Sequence, residues 1–413
     1  MKKVLSAVLS LAMSALMVLN LTACSGSGGE AEETTEFIAL TDENGEEVTD
    51  EDGNVVTSNP DELPPEKALT VGFIYSEGVD ESTISKQFNN ARLQAEKTLG
   101  AETYYIEDVL VSQFPDAVHV LVEKGCNVIV SCSAKFENAV EKEAQTLEEI
   151  SFISYGGDGS LSNMSSFQGK LYQSTYVCGI AGAYNSTSNI LGVLADSSLA
   201  NCYGLINAYI QGAKELTELD TDVRLNWCWA SNDETVKNAV DDLVEQGCDV
   251  IFACTESEYA IKYCNEKGIK VIGLAYNLPE LAPDTYLTGA FYNFGTYLID
   301  MLRRVRYETG TFNVICDDGL AEGAARVIAI SENCVEGTEK ITDKLYELVS
   351  ENKAKIFAGE IKDNYDNIRV EKGTSLSHSE IWEIEWLDKC VTEIRDFTVP
   401  VLDPPESELL VLE

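Results

Sequence analysis

Two segments of the chain, Leu121–Cys132 (LVEKGCNVIVSC) and Leu243–Cys254 (LVEQGCDVIFAC), begin 122 positions apart and agree at eight of their twelve residues. Each reads as the end of a helix, a glycine turn at Gly125 or Gly247, and a run of apolar, largely β-branched residues. The run stops at small polar residues, Ser131-Cys132-Ser133 in one copy and Ala253-Cys254-Thr255 in the other. A strand that is apolar on both faces belongs in a parallel sheet covered by helices on either side, and the loops after such strands hold ligands in open α/β sheets. The duplication therefore predicts two similar sheets with two facing binding edges.

The flanking sequence extends the repeat. LTVGFIYS (69–76) has its counterpart in NILGVLAD (189–196), with Gly72 and Gly192 at matching places. Amphipathic stretches follow at 86–99 and 199–216, then second strands at 102–108 and 223–230; after the repeated helix and strand come SFISYG (151–156) and KVIGLAY (270–276). Each half reads β-α-β-α-β-α-β, and with right-handed crossovers that gives a doubly wound parallel sheet. The expected fold class is α/β: two similar doubly wound lobes joined by a hinge. The crossings are expected within 156–176, within 277–289 and around Asp317-Asp318-Gly319.

What precedes the repeat bears on the compartment. Met1-Lys2-Lys3 is basic, residues 4–19 are apolar, and Leu21-Thr22-Ala23-Cys24 has the form of a bacterial lipobox, in which small residues permit cleavage and the thiol is acylated. Residues 1–23 are thus expected to be a lipoprotein signal peptide, with Cys24 lipidated and the rest held on the extracytoplasmic face of the membrane. Residues 25–66 carry 14 Asp or Glu and no Lys or Arg, the composition of a solvated tether. Within it an eight-residue echo (41–48, 49–56) contains Asn-Gly and Asp-Gly pairs that suit a small hairpin. The glycine of Asp50-Glu51-Asp52-Gly53-Asn54 is misplaced for a calcium loop, so no metal is expected there.

A formal net charge of −41 argues against nucleic acid as a partner. Only two histidines occur, His119 and His378, so neither a Ser/His/Asp arrangement nor a histidine-based metal site is supported, and no cofactor is called for. Eleven cysteines besides Cys24 show no C-x-x-C spacing, and most lie inside apolar patterns, which favours buried cysteines acting as small hydrophobes.

The order of segments, from LTVGFIYSEGVDES through LVEKGCNVIVSC, YQSTYVCGIAGA, NILGVLAD, DDLVEQGCDVIFAC and IKVIGLAYN to DTYLTGAFYNFGTYLIDML, resembles the basic membrane protein family over roughly residues 69–310 and more weakly through KIFAGEIKDN and EKGTSLSHSEIWEIEWL. These are nucleoside-binding lipoproteins that serve ABC importers and are similar in fold to type I periplasmic binding proteins. The resemblance implies a small-molecule ligand, an ABC permease as partner, a membrane anchor through the N-terminal lipid, and a monomer that is not an enzyme. It also implies an acidic first-loop residue, filled here by Asp80-Glu81, while Ile84 and Ser85 stand where an aromatic and an Asn are expected. Ala275 stands at the place of the Asp that would bind sugar hydroxyls, and Tyr292 at the place of a Lys.

The remaining loop residues are aromatic or small and polar. Tyr75, Asp80, Ser131, Ser133 and Phe136 are the ligand candidates of the first half; Trp229, Thr255, Tyr276, Asn277 and Tyr292 are those of the second. Such a cleft would stack a planar ring and bond its edges, with recognition weighted toward a nucleobase over its sugar. The expected boundaries are 67–175 plus about 290–345 for lobe 1, 176–289 for lobe 2, and 346–413 for an extension packed on the body. Ligand would drive closure of the lobes by its differential affinity for the closed state. A sensor feeding a membrane receptor, or a secreted hydrolase using Asp80, Glu81 or Glu256, are the alternatives.

Overall fold

In a computed structural model of the protein, the two copies of the repeated segment supply the third strands of two separate parallel sheets. The structure describes residues 38–39, 57–58, 67–157, 159, 161–197, 199–215, 222–228, 232–308 and 311–394. The signal peptide, Cys24, Trp229 and the echo at 41–56 lie outside the described residues. By its internal contacts the chain forms two units. The smaller, 1–69 with 300–312, contains strand β1 (Ile38–Ala39), which pairs antiparallel with β2 (Thr57–Ser58). Within it the Lys67 amide donates to the Arg306 carbonyl at 2.8 Å.

The larger unit, 70–299 with 313–413, holds both sheets. The first half gives β3 (Thr70–Ile74), α1 (Thr83–Leu99), β4 (Glu102–Ile106), α2 (Phe114–Glu123), β5 (Val128–Ser131), α3 (Glu137–Thr146), β6 (Ser151–Tyr155) and β7 (Met164–Phe167). Helix α4 (Leu171–Asn185) leads to the second half: β8 (Ile190–Ala195), α5 (Cys202–Lys214), β9 (Asp222–Trp227), α6 (Asp233–Glu245), β10 (Val250–Cys254), α7 (Glu258–Lys267), β11 (Lys270–Gly273), the short α8 (Leu278–Leu281) and β12 (Tyr286–Tyr292). The rest comprises α9 (Phe294–Tyr307), β13 (Ile315–Cys316), β14 (Ala325–Val327), α10 (Thr338–Ser350), β15 (Ile361–Lys362), β16 (Ile368–Val370), α11 (His378–Trp382) and β17 (Val391–Glu393).

The first sheet runs β4-β3-β5-β6-β7-β13, every neighbour parallel. The second runs β17-β9-β8-β10-β11-β12-β14 and is parallel except for β14. The order second-first-third-fourth-fifth recurs in both, so each sheet reverses direction of winding between its first and third strands, where ligands sit in open α/β folds. One face of the first sheet buries Ile74, Ile129, Phe152 and Met164 against Phe114, Val118 and Leu121 of α2. The second repeats this with Ile251, Ala253 and Val271 against Val236, Val240 and Leu243 of α6. Gly125 and Gly247 turn each repeated helix into its strand at φ 91° and 88°, values that disfavour any side chain.

The chain leaves the first sheet after β7 and returns by way of α9 and β13. Residues 277–289, expected to cross between lobes, do not, because Leu287, Thr288 and Gly289 lie within β12 of the second sheet, the first two fully buried. The crossing comes after β12, where Phe294 stacks on Phe88 of α1 at 3.7 Å between ring centroids. The crossing around 317–319 lies between β13 and β14. Of the span 290–345 expected in lobe 1, β13 joins the first sheet but β14 joins the second, and the Thr338 hydroxyl at the start of α10 receives a hydrogen bond from Asn185 of α4.

Helices α4 and α5 pack so tightly that a Cβ on Gly179 would lie 1.9 Å from the Tyr209 carbonyl oxygen, and one on Gly212 1.8 Å from that of Tyr176. Beyond them β17 adds in parallel to the outer edge of β9, fixed by the Trp227 indole N–H donating to Glu393 at 2.9 Å and by Lys214 paired with the buried Asp388 at 2.6 Å. Among the described residues all eleven cysteines are free thiols, eight of them buried, and burial pushes Cys126, Cys248 and Cys264 up to about 12. No described helix is long and apolar enough to cross a membrane.

Candidate functional site

The carboxyl ends of the two sheets bring a polar cluster together. From the first lobe, the turn after β3 supplies Glu77 and Ser82, the loop after β5 supplies Ser133 and Lys135, and β6 ends on Tyr155. From the second, β8 runs into Asp196 and β10 into Thr255, Glu256, Ser257 and Glu258. Helix starts hold these groups in place. Ser82 caps α1 by accepting from the Ser85 amide at 3.1 Å, Ser257 caps α7 by accepting from Ala260, and Ser133 caps a 3₁₀ turn over Ala134–Phe136.

Across the lobes the Ser82 hydroxyl donates to Glu256 Oε2 at 2.6 Å, the Thr83 amide donates to the Glu256 carbonyl at 3.0 Å, and Ser82 bridges Ser257 in antiparallel fashion. Beside them Lys86 Nζ meets Glu258 Oε1 at 2.5 Å, and the Asn277 side-chain amide donates to the same oxygen at 3.2 Å. Inside the cluster Lys135 Nζ lies 2.6 Å from Glu77 Oε1.

The electrostatics follow from burial. Glu256 is 7% exposed, and loss of water raises its carboxyl to about 7; Lys135 and Ser82 pull the other way, while Glu77 and Asp196 add to the rise. Burial works to lower the Lys135 ammonium, but Glu256, Glu77 and Asp196 outweigh it and hold it above its ordinary value. Burial would likewise raise Glu258, yet Lys86, Asn277 and Lys262 keep it below the usual carboxylate range. One ammonium thus faces three carboxylates, a surface made to accept hydrogen bonds from a donor-rich neutral or cationic ligand.

Behind the cluster, rings from both lobes fill the crossing. Tyr155 meets Tyr292 edge-on at 5.7 Å, Phe167 and Phe294 lie 4.8 Å apart, and the Tyr297 hydroxyl bonds Ser165 at 2.6 Å. Tyr292 and Phe294 of these rings also line an open depression of about 290 Å³, together with Gln87, Asn90, Gln94, Tyr276, Phe291 and Asn293.

The structure separates the residues expected from the sequence to bind ligand. Ser131 ends β5, Ser133 and Thr255 follow the third strands of the two sheets, and all three are buried. Asn277 holds Glu258, and Tyr276 borders the depression. Tyr75 and Phe136 are corrected. Tyr75 is fully buried between Phe73 and Tyr105, and Phe136 folds back onto Phe114 at 4.8 Å inside the first core, so neither ring offers a face to a ligand. Tyr292 is 2% exposed, its hydroxyl donating to the Gly169 carbonyl and its amide to Gln87 Oε1, so it acts as a crossing residue. Asp80 is exposed, outside the cluster. Ala275 is fully buried in the second core and offers no polar atom to the cleft. Glu77, Ser82, Lys135, Asp196 and Tyr155 were not singled out from the sequence. The signal available was a charge within four positions of the end of each repeated strand, Lys135 in one copy and Glu256 in the other.

Comparison with known proteins decides the lineage. A family profile described as ABC transporter substrate-binding protein, PnrA-like, matches residues 68–364. The chain belongs to the Bmp family. It is the substrate-binding component of an ABC transporter, a role of binding exercised outside the cytoplasm. Among its relatives, the purine-binding protein of Brucella abortus (strain 2308) is 26% identical over 315 residues, covering 75% of this chain and 87% of that one. Two solved solute-binding proteins of ABC transporters share the fold. That of Conexibacter woesei is 13% identical with a TM-score of 0.57, covering 70% of this chain and 98% of its own, and that of Aeropyrum pernix K1 is 14% identical with a TM-score of 0.58, covering 71% and 93%. Strands β16 and β17 and helix α11 lie beyond the segment that the Bmp profile matches.

Proposed function

We propose that this Bmp-family protein captures a purine nucleoside between its two lobes and hands it to the membrane permease without altering it, as a monomer held to the membrane by lipid on Cys24. The observation that carries the reading is the cluster of Glu77, Lys135, Asp196 and Glu256, drawn from the strand ends of both sheets. The name of the Brucella relative supports purine as the ligand class. The lipobox ending at Cys24 supports the anchor.

The cluster also changes the expected balance between ring and sugar. Ala275 removes one acceptor for sugar hydroxyls, but Asp196 and Glu256 bring carboxylates into the cleft from other strands. A hydroxyl bonded to a buried carboxylate contributes about 1.5–3 kcal/mol, and losing it leaves the acceptor unpaired. Ribonucleosides should therefore bind at least about tenfold more tightly than the matching deoxynucleoside or free base. Calorimetry of the protein with adenosine, deoxyadenosine and adenine, the guanine series and glucose tests this. Equal affinity across a purine series would remove the sugar from the reading, and binding of glucose alone would remove the purine.

A further inference from the structure

The contacts between Ser82–Lys86 and Glu256–Glu258 join the two lobes directly, through a side-chain bond, a backbone bond and an ion pair, and none of them needs a ligand. They sit at the starts of α1 and α7, helices anchored in different sheets. We propose that they form a proton-linked latch: closing the lobes buries Glu256 among other carboxylates, so that the ligand-free lobes draw together in mild acid, when its carboxyl carries a proton, and part as that proton is lost.

The groups around Glu256 set the direction. In the closed arrangement it faces Lys135 from the loop after β5, Glu77 and Ser82 from the segment after β3, Asp196 after β8, and Tyr155 at the end of β6. A single cation is set against three carboxylates, two of which oppose ionisation of the third. When the lobes separate, Glu256 regains water and the field of the first-lobe groups weakens, so its carboxyl returns toward the ordinary value of 4.5. A carboxyl raised to about 7 on closing means that the closed form binds a proton the open form lacks. That advantage is complete below the ordinary value and is lost as pH rises through about 7. Glu258, held ionised by Lys86, makes the same closure without titrating in this range.

The test uses the full chain without ligand. Small-angle scattering gives the compactness at pH 6 and pH 8, and amide exchange at Thr83, corrected for the intrinsic pH dependence of exchange, reports the bond that crosses the lobes. The ratio of closed to open protein should be about tenfold higher at pH 6 than at pH 8. Glu256→Gln should remove that difference, and Lys86→Met should lower closure about equally at both pH values. Should Glu256→Gln fold poorly, Lys135→Met reads the same linkage, since loss of the cation moves the midpoint to higher pH. A wild-type protein equally open or equally closed at both pH values overturns the latch, as does a Glu256→Gln variant that keeps the wild-type pH response. Neither outcome depends on which ligand the cleft accepts.

Discussion

Adding one methyl group at Gly179 should damage this protein more than removing several from its surface. The Cβ of Gly179→Ala would stand 1.9 Å from the carbonyl oxygen of Tyr209 and 2.8 Å from the Ala213 nitrogen, both backbone atoms of α5. No rotamer relieves a backbone clash. To reach even the tightest tolerated separation, about 3.0 Å, α4 and α5 must part by about 1.1 Å, and a gap of that size forfeits a quarter to a half of the dispersion attraction between the packed faces. Those faces include Thr175, Tyr176, Leu205 and Ile206, all buried, together with the Thr175 hydroxyl bond to the Leu205 carbonyl at 3.2 Å. The cost should be about 3 kcal/mol or more, at the upper end for overpacking. Gly268→Ala is the control: it has a left-handed φ of 69° but nothing within 4 Å of the new Cβ, so it should cost only about 1 kcal/mol. Urea unfolding followed by circular dichroism measures both. If Gly179→Ala costs no more than Gly268→Ala, the close approach of the two helices is wrong.

Ile251→Ala should cost about 2–5 kcal/mol in the same assay, since Ile251 is fully buried in the repeated strand and its loss leaves a cavity between β10 and α6. Lys135→Met should raise the Glu256 carboxyl above its value of about 7, because Lys135 is the cation that opposes the rise; carbon-13 NMR of the Glu side chains follows the titration, and a downward movement would contradict the geometry. Cys24→Ala should abolish incorporation of a fatty-acid probe and leave the precursor uncleaved, and unchanged labelling would refute the lipid anchor.

The strands of the repeat were legible because nothing else in a sequence combines long apolar, β-branched runs with fixed spacing to a glycine turn. All eight expected strands occur, from β3 to β6 and from β8 to β11. Strand β7 was not, since Met-Ser-Ser-Phe has no apolar alternation; its serines are buried against backbone carbonyls, Ser166 donating to Gly156 and Gly157. The first part of β12 falls within the span expected to cross, and its polar Thr288 is accommodated in the sheet by donating its hydroxyl to the Ile328 carbonyl just past β14. The site was harder still. Aromatic residues near strand ends were read as ligand surface, but Tyr75 shares a face with Phe73, and the 3₁₀ turn swings Phe136 inward. The charged residues that do meet, Glu77, Lys135 and Glu256, are separated by up to 179 positions, and their pairing depends on two sheets facing each other edge to edge.

The parallel pairing of β17 with β9 also bears on the order in which this protein can fold. Its register joins Val391 to Val223 and Glu393 to Leu225, so the outer edge of the second sheet stays bare until a segment 168 residues downstream has been made and has found it. The first sheet has a long-range closing step too, through β13, but among the described residues its outer strand β4 has no such late partner. Long loops close slowly, and an unpaired strand edge is adhesive while it waits. The second lobe should therefore be the last to gain protection from exchange and the one most prone to pair with a neighbour during refolding, and the three residues of β17 do for it what a chaperone would otherwise have to do.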